Sequence, residues 1–134
     1  MFMLTQGAGM DFAFPDVCKT PAGPAVVPIP YPNTAMTSTT APAAFNVLTD
    51  CMPTLNLMSQ GLVSMGDQPG VLLGMADQCI AGGAFYVVGC ATILVGGAPA
   101  QRLTSVTGQN AMGKLPNTAG ACIAPSQVTV LTLG

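Results

Sequence analysis

Five cysteines (Cys18, Cys51, Cys79, Cys90 and Cys122) and five aspartates are the residues of this chain most able to do chemistry. There is no histidine and no glutamate, so the usual general base and the commonest zinc ligand are both missing. Paired-carboxylate catalysis would rest on scattered aspartates alone, and no GxSxG, HExxH or phosphate-binding loop occurs. The cysteines are widely spaced without a CxxC pair, and an odd number leaves one thiol outside any complete disulfide framework. Small buried fillers in a reduced compartment are their default role. The chain is expected not to be an enzyme.

Composition narrows the partners. Half of the chain is apolar, 6% is charged and the net charge is −2. With three basic residues in all, a phosphate-binding surface is excluded, and nucleic acid with it. The apolar fraction is too high for a disordered chain. A surface poor in charge and rich in apolar groups is best explained by a protein that works docked on another. The amino terminus, MFMLTQGAGMDFAF, lacks the positive region and apolar run of a secretory signal, which points to a cytosolic origin.

The elements that must position these groups read as β structure. The stretch Phe14–Asn33 holds six prolines in twenty residues, and proline removes an amide donor, fixes φ and pushes its predecessor into extended backbone. From Pro28 to Pro32 prolines alternate with Ile29 and Tyr31, as in a stiff arm or edge strand. Ahead of it, residues 1–13 are expected as a loose, flexible lead-in, with a single domain over 14–134. Partial alternation predicts a strand over Thr54–Ser59, continuing past Gly61 through Leu62–Met65. Gly66–Gly70 reads as a turn, and Val71–Met75 as a short strand. Ile80–Ala100 is long enough and free enough of charge to cross a membrane. Its glycines, however, bracket the five-residue runs Ala84–Val88 and Ala91–Val95, which favours strands. Further strands are expected at Arg102–Thr107 and Gln127–Leu133, with a turn-rich stretch over Gly108–Gly120. No segment carries a convincing helical period. A faint repeat relates Ala91–Gly97 to Ser126–Thr132, with Thr54–Leu57 as a poorer third copy, suggesting three sides of a tapered structure. The predicted fold is mainly β: a small single-domain cone with glycine-rich turns and a proline-rich N-terminal arm.

FPDVCKTP, VPIPYPN, GDQPG and ILVGGAPAQRL, in that order, closely resemble the PAAR-like spike-tip proteins of bacterial type VI secretion systems. The resemblance runs from about Asp11 to Gly134. It implies a β-rich cone whose base caps a trimeric spike of the VgrG type, whose apex is sharpened for membrane puncture, and which travels with toxin effectors or their adaptors. Such a tip is made in the bacterial cytoplasm, needs no signal peptide, is exported by the injection machine and meets a membrane only transiently. The residues singled out for the architecture are Pro15, Asp16, Cys18, Pro28, Pro30, Tyr31, Pro32, Asn33, Gly66, Asp67, Gly70, Gly97 and Arg102. Asp16 and Arg102, two of the few charges, are candidates for an ion pair pinning the arm to the cone.

The chain departs from the better-known PAAR branch, which binds a metal near the apex mostly through histidines. Four thiolates among Cys18, Cys51, Cys79, Cys90 and Cys122 would hold one tetrahedral zinc; buried fillers are the alternative. Many relatives carry a toxin domain after the cone, for which the sequence up to Gly134 leaves no room. It therefore reads as a stand-alone tip or as the tip domain of a longer effector. The competing reading of the whole chain is a small membrane protein spanning at residues 80–100.

Overall fold

The computed structural model describes residues 1–133. It holds eleven strands: β1 (Met10–Ala22), β2 (Ala25–Met36), β3 (Thr40–Ala41), β4 (Ala44–Thr49), β5 (Met52–Thr54), β6 (Gln60–Gly61), β7 (Gly83–Tyr86), β8 (Cys90–Val95), β9 (Ala98–Ala100), β10 (Val106–Met112) and β11 (Leu115–Ala124). One 3₁₀ turn at Thr37–Thr39 is the sole helical element among the described residues. Seven strands form one sheet in the order β2-β1-β11-β10-β7-β6-β3, while β4–β5 and β8–β9 are separate hairpins. The fold is mainly β, as the sequence predicts.

The proline arm is not a single rod. It folds back at Gly23–Pro24, so that its two halves become the long hairpin β1–β2. The register explains where the prolines go. Pro28 lies opposite Lys19 and Pro30 opposite Val17, and at these two positions β1 turns its own backbone groups the other way. Lys19 pairs with Leu72 and Leu73, and Val17 accepts from Met75. Pro28, Pro30 and Pro32 share the parity of Thr34, whose N–H and C=O pair outward with Met65. The missing proline donors therefore all fall on the outer edge of β2, where no ladder bond is lost. They also block further strand addition there. The intervening Ile29, Tyr31, Asn33 and Ala35 turn inward, the last two fully.

The amino-terminal residues are not a loose lead-in. Met3 and Leu4 are buried, and together with both chain ends they build a pseudo-three-fold triangle. Its sides centre on Leu4, Leu55 and Gln101, all at 0% exposure. Leu4 N–H donates to Gln101 C=O at 2.9 Å, Gln101 N–H to Leu55 C=O at 3.2 Å, and Leu55 N–H to Leu4 C=O at 3.0 Å. A second cycle runs outside it: Gln6 to Pro53 at 2.8 Å, Leu57 to Pro99 at 2.9 Å and Leu103 to Phe2 at 2.8 Å. The bridges Thr5↔Thr54, Asn56↔Ala100 and Met3↔Arg102 complete the ring. Each side is the returning strand of one hairpin. In two hairpins the pairing is identical position for position: Ala44↔Thr54, Leu48↔Pro53 and Thr49↔Met52 match Cys90↔Ala100, Leu94↔Pro99 and Val95↔Ala98. Both close on two positive-φ residues, Asp50–Cys51 and Gly96–Gly97, as the twist of a two-residue hairpin demands. The third copy joins the two ends of the chain, with Phe2↔Leu131 in place of Leu48↔Pro53. Met1 and Thr132 exchange bonds of 2.6 and 3.1 Å where the other copies turn.

Several sequence expectations fall in the wrong place. Gln127–Leu133 forms one bridge rather than a strand, because the Gln127 side chain takes over the bonding. Its Oε1 accepts from Thr129 and Val130, and its Nε2 donates to the carbonyls of Met3 and Val130. The stretch Gly108–Gly120 is mostly the hairpin β10–β11. Neither Thr54–Ser59 nor Val71–Met75 is a strand, although the latter bonds along β1. The repeat is real but its third member is Ala44–Thr49, and Ala91 matches Val128 rather than Ser126. Ile80–Ala100 carries β7, β8 and β9 rather than a helix, and no helix among the described residues is long and apolar enough to cross a membrane. Gly134, the last residue of the expected domain, lies outside the described residues.

Candidate functional site: a buried polar cluster and a three-fold base

β1 presents Asp16 and Cys18 on its inner face, two residues apart and both at 0% exposure. Asp67, also at 0%, reaches them from the loop after β6. The Cys18 thiol donates toward Asp16 Oδ1 at 3.6 Å and Asp67 Oδ2 at 3.8 Å. Three asparagines close round Asp16. Asn33 on β2 gives its amide to Asp16 Oδ2 at 2.8 Å and to Ser64 at 3.0 Å. Asn110 on β10 reaches Asp16 Oδ1 at 3.4 Å, and Asn117 on β11 donates to the same oxygen. Asp67 in turn accepts the Ala81 N–H at 3.1–3.2 Å. Burial raises Asp67 above the ordinary carboxylate range. Burial, with Asp16 and Asp67 beside it, pushes the Cys18 thiol up to about 12.

Asp16, Cys18 and Asp67 are the one group of three or more potential metal ligands found together among the described residues, their donor atoms within 4.8 Å of one another. By atom type the group is compatible with a metal. The all-cysteine zinc set is not formed. Cys51 is exposed in the β4–β5 turn, Cys90 lies on β8 beside Thr92, and Cys122 lies on β11 beside Asp11. Cys79 is nearer, its carbonyl accepting from Asn110, but only Cys18 is in the group. Nor does the donor set suit a cation. Asp16 Oδ1 already faces the amides of Asn110 and Asn117 and the Cys18 thiol, and Oδ2 the amide of Asn33, so the carboxylate is surrounded by protein donors.

Six of the singled-out residues converge here: Asp16, Cys18, Asn33, Gly66, Asp67 and Gly70. The two glycines are required by close approach. A Cβ on Gly66 would lie 1.9 Å from the Pro32 carbonyl oxygen, and one on Gly70 would lie 2.2 Å from the Cys18 Cβ. Pro28, Pro30 and Pro32 line the outer edge of β2, Pro15 sits at the register shift of β1, and Tyr31 hydrogen-bonds Thr20 at 2.7 Å. Gly97 and Arg102 belong to the three-fold base instead, Gly97 in the β8–β9 turn and Arg102 in the ring opposite Met3. The expected Asp16–Arg102 ion pair is therefore not what holds Asp16; its partners are amides and a thiol. Sequence reasoning missed Asn110, Asn117, Ser64 and Asp77. Asn110 holds a positive φ of 50°, a region asparagine tolerates better than most residues.

The base is the other feature with functional geometry. Its three hairpins place like positions in like environments: Ala44, Cys90 and Gln127 are buried, as are Thr49, Val95 and Thr132. Between them the chain is turned out. Leu48, Leu94 and Leu131 occupy equivalent sites and are 62%, 62% and 53% exposed. Phe45 and Val128, equivalent to Ala91, are exposed as well. Beneath them Met3, Ala44, Val95 and Ala100 pack together with Val47 and Ile93. Among the side chains at the outward positions one is charged, Asp50. Three apolar side chains are thus repeated around one axis with no protein covering them.

Comparison with known proteins agrees with the fold and motifs. A family model described as the toxin PAAR-like domain matches residues 9–116. No curated protein and no solved structure matches the chain. The matched span holds the whole arm, the Asp16–Cys18–Asp67 cluster and two of the three base hairpins, and on that extent the chain belongs to the toxin PAAR-like domain family.

Proposed function

We propose that this chain is a structural spike tip that caps a trimeric VgrG-type spike of a type VI secretion system and carries a toxin effector or its adaptor. The observation that carries the reading is the pseudo-three-fold base. A single chain repeats one hairpin three times about an axis and presents Leu48, Leu94 and Leu131 at equivalent exposed sites. A partner with three identical surfaces about its own axis can meet all three at once and in the same way. Exposed leucines on a nearly uncharged face gain from burial roughly 1.5–3 kcal/mol each. The role is structural rather than catalytic. Synthesis in the bacterial cytoplasm and export by the injection machine follow from the same reading, with membrane contact only at puncture.

The test is capture of the chain by a purified VgrG-type trimer. Replacing Leu48, Leu94 and Leu131 together by aspartate abolishes capture if the base docks. Replacing Met112, exposed at the β10–β11 turn, leaves it intact. Undiminished capture of the triple variant would refute the base as the docking face.

A further inference from the structure

We infer that the cluster around Asp16 is a metal-independent lock, in which protein amides occupy the place of a cation and fasten the strandless loop 62–82 to the sheet. This goes beyond the docking reading and does not depend on it.

The orientation of the amides carries the argument. Asparagine oxygen and nitrogen are assigned by their surroundings, and here the backbone fixes them. Asn117 Oδ1 accepts the N–H groups of Ala76 at 2.7 Å and Asp77 at 3.2 Å. Asn110 Oδ1 accepts the Gly82 N–H at 2.9 Å. A flip of either side chain would face its NH₂ against backbone donors. Both Nδ2 groups must therefore point inward, at Asp16 and at the Cys18 sulfur, which lies 3.7 Å from Asn110 and 3.9 Å from Asn117. An inward-facing amide donor presents partial positive charge where a metal ion would need a lone pair. It also supplies what a buried carboxylate needs, since several donors compensate its lost hydration.

The connections explain what the lock holds. Between β6 and β7 the chain runs more than twenty residues without a strand, an unusual length for a packed domain. Backbone bonds tie Leu62 to Thr39, Met65 to Thr34, Leu72 and Leu73 to Lys19 and Met75 to Val17, and the side-chain anchors of the loop centre on the cluster. Ser64 Oγ ties Asn33 to the Gly82 carbonyl at 3.0 and 2.7 Å. Asp67 holds Ala81, Asn117 holds Ala76 and Asp77, and the Asp77 carboxylate accepts the Met112 N–H. Gly70 and Gly74 let the loop press against Cys18 and Asn117, where a Cβ would come within 2.2 and 2.7 Å. Asparagines on three different strands thus do jointly what a bound ion does in a metal-stapled fold.

The test is metal analysis and thermal unfolding of the protein purified without chelator. The lock predicts far less than one zinc, iron or copper per chain, and a melting temperature unchanged by chelator or by added zinc. Cys18→Ser keeps its melting temperature within a few degrees, because the hydroxyl, like the thiol, offers one donor to the carboxylate pair. Asn117→Ala lowers it by roughly 5 °C or more, and should it fail to fold, Asn110→Ser supplies the same comparison. About one metal per chain, lost together with stability on chelation and in Cys18→Ser, would overturn the proposal.

Discussion

Asp11 should make this protein more stable in mild acid than at neutral pH. The residue is 3% exposed on β1, and the groups facing it are the Tyr86 hydroxyl at 3.4 Å and the Cys122 thiol. Neither carries positive charge, and Asp11 Oδ1 has no hydrogen-bond partner. Burial therefore dominates and lifts the carboxyl from the ordinary 3.8 to about 6. An acid whose folded pKa is raised binds more protons folded than unfolded between those two values, so stability falls as pH rises through that window. A rise from 3.8 to about 6 corresponds to about 3 kcal/mol at pH 7.5. At pH 4.5 most of that is recovered, a gain of about 2 kcal/mol, or roughly 5–10 °C in melting temperature for a domain of this size. Differential scanning calorimetry at the two pH values measures it directly. Asp11→Asn should melt higher than the parent at pH 7.5, lie much closer to it at pH 4.5 and lose most of the slope. Asp67, also raised by burial, accounts for the remainder. A parent protein that melts lower at pH 4.5 than at 7.5, or an Asp11→Asn variant with the full slope, would refute the reasoning.

Two further outcomes rest on packing. Gln101 occupies the triangle position that Leu4 and Leu55 hold in the other copies, fully buried with neither amide atom paired; Gln101→Leu should raise stability by about 1–3 kcal/mol in denaturant titration. Gly70→Ala would drive a methyl group into the Cys18 side chain, and should cost about 1–3 kcal/mol of overpacking, read as a lower denaturation midpoint with unchanged slope.

What the sequence made legible was local chemistry. Alternating prolines at 28, 30 and 32 read as a stiff arm or an edge strand, and β2 is the edge strand. The arm's fold-back was legible in principle from Gly23–Pro24, a turn dipeptide, but six prolines in a row of twenty residues read as one stiff unit. The hairpin β10–β11 was hidden because its residues look like loop residues. Gly120 is there because the Phe12 carbonyl passes 2.1 Å from where a Cβ would be, and close approach, not a turn, is the reason. Gln109 and Asn110 are buried polar residues, which erase the apolar alternation that marks a strand. The three-fold base left almost no side-chain trace. Its copies share only the leucine at 48, 94 and 131, and the symmetry resides in backbone hydrogen bonds that any residue can make. The cluster was half legible: Asp16, Cys18, Asn33 and Asp67 stood in family-like motifs, whereas Asn110 and Asn117 are contributed by strands that the sequence concealed.

The central claim is that one chain with a pseudo-three-fold base caps one three-fold spike. Native mass spectrometry of the chain mixed in excess with a VgrG-type trimer tests it most directly. The account predicts a single complex of one chain per trimer that does not grow with further excess. Three chains per trimer, or no complex with a spike encoded beside this protein, would contradict it.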